Sequence, residues 1–280
     1  MSRVSPPGFT VPLVPLSVVA LANRDRARTA LRHAFPRRVA SLHIVRSRRE
    51  LVAAFHRRLV DAAIVDLAAP TEDIVSALSL AREFPSAPFV GMTPLRPSDT
   101  SLAARAAAAD FADLVVEQVD DTVLRHLVEA QSFTRRFSTA LQEPPEVLQL
   151  NSRMQRQAWA VLVAHGGRPV LTEVISLALG VSREHLSRAF SADGAPNIKR
   201  VIDLVRLIAA AELAKNPGYD VGDVADVLGF ASSSHLSTAA IRIAGTRPTS
   251  LARLRAVDII ERFARDRSRS RSLPERPVKL

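Results

Sequence analysis

The stretch LALGVSREHLSRAF, residues 177–190, and the stretch VADVLGFASSSHLS, residues 224–237, share one pattern. In each, a Leu-Gly pair precedes His-Leu-Ser, and the two copies are offset by 49 to 50 residues. The pattern predicts a short helix, a glycine turn and a second helix, twice over. This arrangement is typical of a helix-turn-helix, in which the second helix enters the major groove of DNA. The sequence therefore predicts DNA binding.

In the first unit, we expect a supporting helix over residues 171–179, a turn at Gly180 and a second helix capped by Ser182. Leu186, Ala189 and Phe190 recur at helical spacing and are expected to face the core. The opposite face holds the candidate DNA-contacting side chains, which are Arg183, Glu184, Ser187, Arg188 and Ser191. Arg188 is the best candidate for base recognition, because a guanidinium can bind guanine O6 and N7, or else a phosphate.

The second unit repeats the scaffold with different chemistry. Residues 221–228 are predicted to form the supporting helix, with Gly229 at the turn and Leu236 as the buried anchor. Its outward side chains are Ser233, Ser234, Ser237 and Thr238. Short hydroxyl groups bind phosphates or waters but distinguish bases weakly. We therefore expect the first unit to dominate base recognition.

An apolar helix predicted over residues 197–214 joins the two units. At a rise of 1.5 Å per residue it would be roughly 27 Å long. Such a helix could hold two recognition helices about one turn of DNA apart, near ~34 Å.

Residues 152–256 resemble the DNA-binding domain of AraC/XylS-type transcription regulators. The resemblance lies in LALGVSREHLSRAF, in VRLIAAAELA (205–214, with Arg206 and Ala210), in VGDVADVLGFASSSHLS (221–237) and in the closing Gly245 and Pro248. It implies that the DNA-facing positions are Glu184, Ser187 and Arg188 in the first unit, and Ser233, Ser234, Ser237 and Thr238 in the second.

Three positions depart from that family pattern. Ala240 stands where an aromatic residue is usual, Ile241 where a basic residue is usual, and Arg247 where threonine is usual. The departures imply weaker base recognition and looser packing in the second unit.

The N-terminal half alternates short apolar segments with amphipathic ones. Strands are predicted at 16–22, 40–45, 61–67, 88–92 and 114–117, and helices at 24–35, 47–59, 71–84, 101–111 and 121–137. This alternation predicts an α/β domain, in which helices cover both faces of a five-stranded parallel sheet. Functional sites in such domains lie at the carboxyl ends of the strands.

Over residues 14–137 this order resembles the response-regulator receiver domain, which has a flavodoxin-like fold. By the resemblance, Asp66 matches the phospho-accepting aspartate and Thr93 the hydroxyl residue after the fourth strand. The lysine after the fifth strand is missing, because Glu117 or Gln118 stands there.

The acidic pair that would hold magnesium after the first strand is also missing. Ala22 and Asn23 occupy those positions, and Asp25 lies just inside the next helix. Without metal ligands and lysine, the charge of a transferring phosphoryl group is not neutralised. We therefore expect a degenerate receiver, in which Asp66 is phosphorylated poorly or not at all and instead closes the turn ahead of Pro70.

The composition of the chain limits the functional classes to which the protein could belong. The net charge is +10, and residues 151–262 carry 14 Lys or Arg against 10 Asp or Glu, so positive charge coincides with the paired motif. The chain has no cysteine, which excludes disulfides, thiolate metal sites and a cysteine nucleophile. Walker, HExxH and GxSxG motifs are absent from the sequence. We therefore expect neither an enzyme nor a cofactor.

Two histidines at matching positions, His185 and His235, raise the alternative of a metal site. Each histidine directly precedes a leucine that is predicted to be buried. The two histidines lie on separate predicted helices. A half-buried packing role is therefore favoured over metal binding.

The predicted organisation has five parts. They are an N-terminal segment (1–13), a receiver-like α/β domain (14–137), a linker marked by Pro144-Pro145 (138–151), an all-α double helix-turn-helix domain (152–262) and a basic disordered tail (263–280). Together they predict a cytoplasmic, sequence-specific transcription regulator. The alternative is a protein-interaction module whose decayed helices no longer bind DNA.

The predicted partners are double-stranded DNA and a second copy of the chain, with RNA polymerase as a further candidate and no membrane. The homodimer is expected to form through residues 1–137. The resemblance to receiver domains implies that its face is the last helix with the neighbouring strand. Over residues 122–130 this helix has the apolar side chains Val123, Leu124, Leu127 and Val128. Two copies of the first recognition helix would then offset the weak second unit.

Overall fold

The computed structural model describes residues 11, 14–68, 71–94, 100–117, 121–191 and 194–271. Within this part of the chain, five parallel strands form one sheet in the order β2-β1-β3-β4-β5. The strands are β1 (Leu16–Leu21), β2 (Ala40–Val45), β3 (Ala62–Asp66), β4 (Phe89–Thr93) and β5 (Asp113–Val116). This strand order is that of the flavodoxin-like fold, so the predicted architecture is confirmed.

Helices cover both faces of the sheet, which is why every residue of β3 and β4 is buried. These helices are α1 (Asp25–Ala34), α2 (Arg48–Arg57), α3 (Glu72–Ala77), α4 (Leu80–Glu83), α5 (Thr100–Ala108) and α6 (Asp121–Gln131). Apolar residues of α2, α3 and α4 pack on one face, and those of α1 and α6 on the other.

The apolar side chains of α6 pack mainly in the core between this helix and the sheet. Leu124 and Val128 are buried beneath the helix, and Leu127 packs against the same cluster. Val123 alone of the four is well exposed, at 48%. The expectation that this helix offers a broad apolar face to a second copy is therefore not met, because the sheet itself occupies most of that face.

The helix predicted over residues 121–137 is broken at Ser132, where α6 ends and α7 (Phe133–Ala140) begins. The Ser132 Oγ accepts a hydrogen bond from the backbone N–H of Arg135 at 3.2 Å. Buried Asp61, before β3, accepts from the backbone N–H of Thr134 at 3.0 Å. Phe133 and Phe137 then pack in the apolar core of the C-terminal half rather than on the sheet.

The C-terminal half is helical. It consists of α8 (Arg153–Ala164), α9 (Thr172–Ala178), α10 (Arg183–Ser191), α11 (Ile198–Leu213), α12 (Val221–Val227), α13 (Ser233–Ala244) and α14 (Ala256–Arg271), with 3-10 helices at Glu146–Leu148 and Pro248–Arg253. The apolar bridging helix is α11, capped by Asn197, whose side chain accepts from the backbone N–H of Arg200 at 2.9 Å. Ten of its 16 residues are buried, so α11 forms the centre of this half.

The segment between the halves packs against the C-terminal core. Leu141, Leu148 and Leu150 are buried, and the Trp159 indole donates to the carbonyl of Leu141 at 2.8 Å. At the other end, α14 continues to Arg271 and Phe263 is buried, so the predicted disordered tail is wrong for residues 263–271, which are helical. Residues 272–280 of the predicted tail lie outside the described residues, as does most of segment 1–13.

The two halves dock through the turn before α12. The Tyr219 ring lies 5.0 Å from that of Phe84, and its hydroxyl donates to the carbonyl of Phe55 at 3.2 Å. His56 Nδ1 of α2 lies 3.0 Å from a carboxylate oxygen of Asp223. The supporting helix of the second unit is therefore held against α2 of the sheet domain. Among the described helices, none combines the length and apolar character needed to cross a bilayer.

Candidate nucleic-acid interface

The two helix-turn-helix units have the same backbone geometry at their turns. Gly180 and Gly229 have positive φ angles of 66° and 63°. After α9, the backbone N–H of Gly180 donates to Leu177 and that of Val181 to Ser176. The equivalent pair follows α12, from Gly229 and Phe230. Both turns are thus the glycine-capped helix ends that the repeated Leu-Gly pairs predict.

Helix α10 presents a polar face opposite its buried anchors. Ser182 caps the helix, since its Oγ accepts from the backbone N–H of His185 at 3.1 Å. Leu186 and Phe190 are fully buried, whereas Ala189 is only partly buried. The exposed residues include the predicted Arg183, Glu184, Ser187 and Arg188. The side chain of Ser191 lies outside the described residues.

The two arginines on this face differ in their partners. Arg183 forms an ion pair with Glu173 of α9 at 2.6 Å. The hydrogen bond from Arg183 lowers the pKa of Glu173, and the same bond raises the pKa of Arg183. For Arg188, no ion pair occurs within the part of the chain that the structure describes. Its guanidinium is therefore the one more available to a base edge.

Glu184 is suited to remain a hydrogen-bond acceptor. Bonds from its own backbone N–H and from the Ser182 side chain lower its pKa. The carboxylate therefore stays ionised at neutral pH and can accept from cytosine N4.

Helix α13 presents hydroxyl groups rather than charge. Ser232 caps it, and Leu236, Ala239 and Ala240 are buried beneath it. Ser233, Ser234 and Thr238 are exposed, whereas Ser237 is partly buried.

Two contacts further reduce what α13 offers to DNA. The Thr238 hydroxyl donates to the carbonyl of Ser234 at 3.0 Å, a bond internal to the helix. Arg242 forms an ion pair with Asp203 of α11 at 2.6 Å.

Arg206 of α11 locks the second unit onto the bridging helix. Its Nε donates to the carbonyl of Leu228 at 2.8 Å, and its guanidinium lies 3.8 Å from the centre of the Phe230 ring. Burial lowers the pKa of Arg206, with the charge of Asp203 opposing the shift. The arginine named in the family resemblance thus holds the turn of the second unit through Leu228 and Phe230.

The paired histidines are exposed, so the expected half-buried packing role is wrong for both. His185 lies one residue before the buried Leu186, on the solvent side of α10. His235 makes an edge contact with Phe230, with ring centroids 5.9 Å apart. No cluster of three or more His, Asp or Glu side chains that could hold a metal occurs in the described parts of the chain.

At the carboxyl edge of the sheet, Asp66 is buried and bound by Arg24. The Arg24 Nε and Nη2 donate to the two Asp66 carboxylate oxygens at 2.9 and 2.7 Å. A third donor, Nη1, reaches Glu117 at 3.1 Å. Burial alone would lower the pKa of Arg24, but the bonds to Asp66 and Glu117 outweigh it and raise the pKa. Asp66 also accepts from the backbone N–H of Ala68 at 3.2 Å, closing the turn after β3.

Sequence reasoning missed Arg24. Its signal was its place directly after Asn23, at the boundary between the first predicted strand and helix. In parallel α/β domains that boundary faces the carboxyl edge of the sheet. In this chain the metal ligands and the lysine of a receiver are absent from this edge. The edge carries the carboxylates of Asp66 and Glu117, and Arg24 neutralises both.

Comparison with known proteins agrees with the repeated turn geometry. Residues 175–253 match a protein family described as "Helix-turn-helix domain", and the match covers both units and α11. The C-terminal half carries an AraC-type helix-turn-helix domain. No match is found among curated proteins.

Several solved structures are similar to the chain. A response regulator from Thermotoga maritima is 16% identical, with 41% of this chain and 96% of that chain covered and a TM-score of 0.36. Full-length FixJ from B. japonicum is 14% identical over 80% of this chain and 95% of that one, with a TM-score of 0.36. The RcsB response regulator of Salmonella typhimurium is 17% identical over 68% and 97%, with a TM-score of 0.35.

Proposed function

We propose that this protein is a sequence-specific DNA-binding transcription regulator whose first helix-turn-helix unit carries most of the base recognition. The observation that supports it is the contrast between the two exposed recognition faces. Helix α10 offers Arg188, which has no ion pair in the described residues, and the ionised Glu184. Helix α13 offers hydroxyl groups, one of which is bonded within the helix. Bidentate guanidinium contacts distinguish bases, and hydroxyl contacts do so weakly.

The test begins with DNA selected from a random library by the full chain. On the selected site, Arg188→Ala should weaken binding by about 1–3 kcal/mol, and lose discrimination at one base position. Arg183→Ala compares the second arginine of the same helix and should cost less than Arg188→Ala, because the Arg183 side chain is already paired with Glu173. Thr238→Ala tests the second unit and should cost clearly less. Sensitivity to Thr238→Ala without sensitivity to Arg188→Ala would reverse the assignment.

The alternative of a protein-interaction module has one observation in its favour. Leu171 and Leu177, at either end of the first supporting helix, are 69% and 83% exposed, and Val174 lies between them. An exposed apolar patch of this kind fits a protein partner, for which RNA polymerase is the candidate. Failure of the full chain to bind any duplex at low salt, where phosphate contacts are strongest, would favour this alternative over the regulator.

For the N-terminal domain, we infer signal input that does not depend on phosphorylation of Asp66. Its carboxylate is buried and both of its oxygens accept from Arg24. Regulation through this domain would therefore rely on its surfaces and on its docking with the helix-turn-helix domain.

A homodimer assembled through residues 1–137 remains part of the proposal, because two copies of α10 would compensate for the weak α13. Val123 is the exposed apolar residue of the predicted face, so Val123→Asp should shift the full chain towards monomer in light scattering at micromolar concentration. Val257→Asp, at another exposed valine, is the control. A wild-type chain that is monomeric at that concentration would rule out the dimer. Any isolated C-terminal fragment should begin near residue 132, since Phe133 and Phe137 belong to its core.

A further inference from the structure

A cleft of about 350 Å³ lies on the C-terminal half of the molecule, where it meets Pro85 and Ser86 of the sheet domain. One wall consists of α7 and the loop residues Pro85 and Ser86, and the other of α11, the residues that follow it and the start of α14. Clefts of about 300–1,000 Å³ at domain interfaces are the usual sites of small ligands. The residues that line it do not include the candidate DNA contacts on α10 and α13.

The floor of the cleft is apolar. Phe133 and Phe137 lie one turn apart on α7, with ring centroids 5.8 Å apart and planes inclined by 23°. Leu141 extends this surface on one side and Ile208 of α11 closes it on the other. All four side chains are almost completely buried, so their positions are fixed by the core behind them. This surface is preformed for a small apolar group.

The rim of the cleft carries an excess of positive charge. Three charged residues line the cleft, and two of them, Lys215 and Glu212, form an ion pair at 2.6 Å. The third is Arg136. Arg136 donates to the carbonyl of Ser86 and has no ion pair within the described residues. Packing around its guanidinium lowers the pKa of Arg136, although Glu212 opposes the shift. Arg136 is exposed at the rim, and a guanidinium without a carboxylate partner can bind an anionic ligand group through charge-assisted hydrogen bonds.

We propose that this cleft binds a small monocarboxylic acid, with its apolar body against Phe133, Phe137 and Leu141 and its carboxylate on Arg136. A planar guanidinium presents two parallel N–H donors that match the two carboxylate oxygens. One unpaired cation neutralises one negative charge, so a monoanion fits better than a phosphate ester with two. The small volume and the apolar floor suit a single ring or a short acyl chain.

Binding at this place would be linked to the docking of the two halves. The carboxylate would bind Arg136, which also donates to the carbonyl of Ser86 in the sheet domain, so the ligand and this docking contact share one guanidinium. A ligand that binds one arrangement of domains better than another shifts the population towards it. The cleft is therefore placed to act as an effector site, which rests on the regulator function proposed above.

Binding is tested by calorimetric titration of the full chain without DNA. The probes are hexanoate, octanoate and phenylacetate, with hexanamide as the neutral match to hexanoate. We expect saturable binding with a Kd of about 1 mM or tighter for at least one acid, and at least about tenfold weaker binding of the amide.

Two variants locate the site. Arg136→Gln should weaken binding of the acid about tenfold or more, whereas Arg135→Gln, an exposed neighbour outside the cleft, should not. Ala140→Phe should block the cleft, because Ala140 lines it while being exposed enough to accept a larger side chain. Thr139→Phe, on the same helix outside the cleft, is its control.

Three results would overturn the assignment: no acid saturates the full chain, the amide binds as well as the acid, or Arg136→Gln and Ala140→Phe titrate like the wild type. Circular dichroism spectra matching the wild type establish that each variant is folded. Because the titrations contain no DNA, their failure leaves the DNA-binding proposal intact, and loss of DNA binding leaves these titrations valid.

Discussion

Arg24 determines what Asp66 can do chemically. The aspartate is buried, and its two oxygens are occupied by one guanidinium. Phosphoryl transfer to a carboxylate requires an accessible oxygen and a cation that neutralises the phosphoryl group. We therefore predict that a small phosphodonor with Mg²⁺ produces no acyl-phosphate on the full chain. Intact-mass spectrometry provides the measurement, and a stable gain of one phosphoryl group at Asp66 would contradict the prediction.

The same cluster makes a stability prediction. Arg24→Ala would leave the carboxylates of Asp66 and Glu117 buried without a cation, so we expect a loss of about 3–5 kcal/mol in the free energy of unfolding. Asp66→Asn should cost less, because Arg24 keeps Glu117 as its partner. Urea denaturation compares the two variants. Equal losses for both would show that Arg24 does not balance the two carboxylates.

His165 provides a pH-dependent contribution to stability. Burial lowers its pKa, nearby Arg168 lowers it further, and the hydrogen bond from its Nδ1–H to the Val161 carbonyl opposes the shift. Below a pH of about 6.5 the unfolded chain therefore takes up a proton that the folded chain does not. Stability is present above that pH and declines as the pH falls towards the lowered pKa.

We expect His165→Gln to reduce this decline, because glutamine does not titrate. The free energy of unfolding, measured in urea at pH values of about 7 and about 5.5, should differ less in the variant than in the wild type. Equal differences would exclude a contribution from His165.

Among the elements, the two glycine turns look equivalent in sequence but differ in their surroundings. A Cβ at Gly180 would meet no atom within 4 Å, whereas one at Gly229 would lie 2.6 Å from the Pro169 ring. Both positions require a positive φ, which costs a residue other than glycine about 1–2 kcal/mol. Gly180→Ala should lose about that much stability.

Gly229→Ala should lose about 1–3 kcal/mol more than Gly180→Ala, since the ring contact adds overpacking to the backbone strain. Thermal unfolding of the two variants makes the comparison directly. Equal losses would mean that the loop at Pro169 moves aside without cost.

Element prediction from sequence succeeded where the signal is local. The predicted strands agree with β1–β5 to within one residue at each end, because short apolar runs between polar turns define them. The outward face of α10 followed from the spacing of Leu186 and Phe190. The break at Ser132 was missed, since part of its cause is Asp61, which is 73 residues away from Thr134. The pairing of Arg24 with Asp66, 42 residues away, was missed for the same reason.

At the scale of the whole molecule, the sequence predicted two halves but not how they join. Pro144-Pro145 suggested a linker, yet Phe133, Phe137 and Leu59 share one apolar core with α11. Asp61 also accepts a charged hydrogen bond from Arg168 in the loop before α9. Contacts of this kind depend on three-dimensional proximity and leave no periodic pattern in the sequence.

Tyr219 couples the unfolding of the two halves. Tyr219 is the single tyrosine of the chain and links α12 to the sheet domain through the Phe84 ring and the Phe55 carbonyl. Burial raises the pKa of its hydroxyl, so the group is a neutral donor at physiological pH. We expect the wild type to unfold in one transition, because the shared core and the docking contacts couple the halves.

Tyr219→Ala removes the ring and should cost about 3–5 kcal/mol, separating the unfolding of the two halves into two transitions. Tyr219→Phe keeps the ring against Phe84 and loses only the bond to Phe55, so it should retain one transition and lose about 0.5–1.5 kcal/mol. Differential scanning calorimetry distinguishes these outcomes. A single transition at the wild-type midpoint in Tyr219→Ala would show that the helix-turn-helix domain is held to the sheet by the shared core alone.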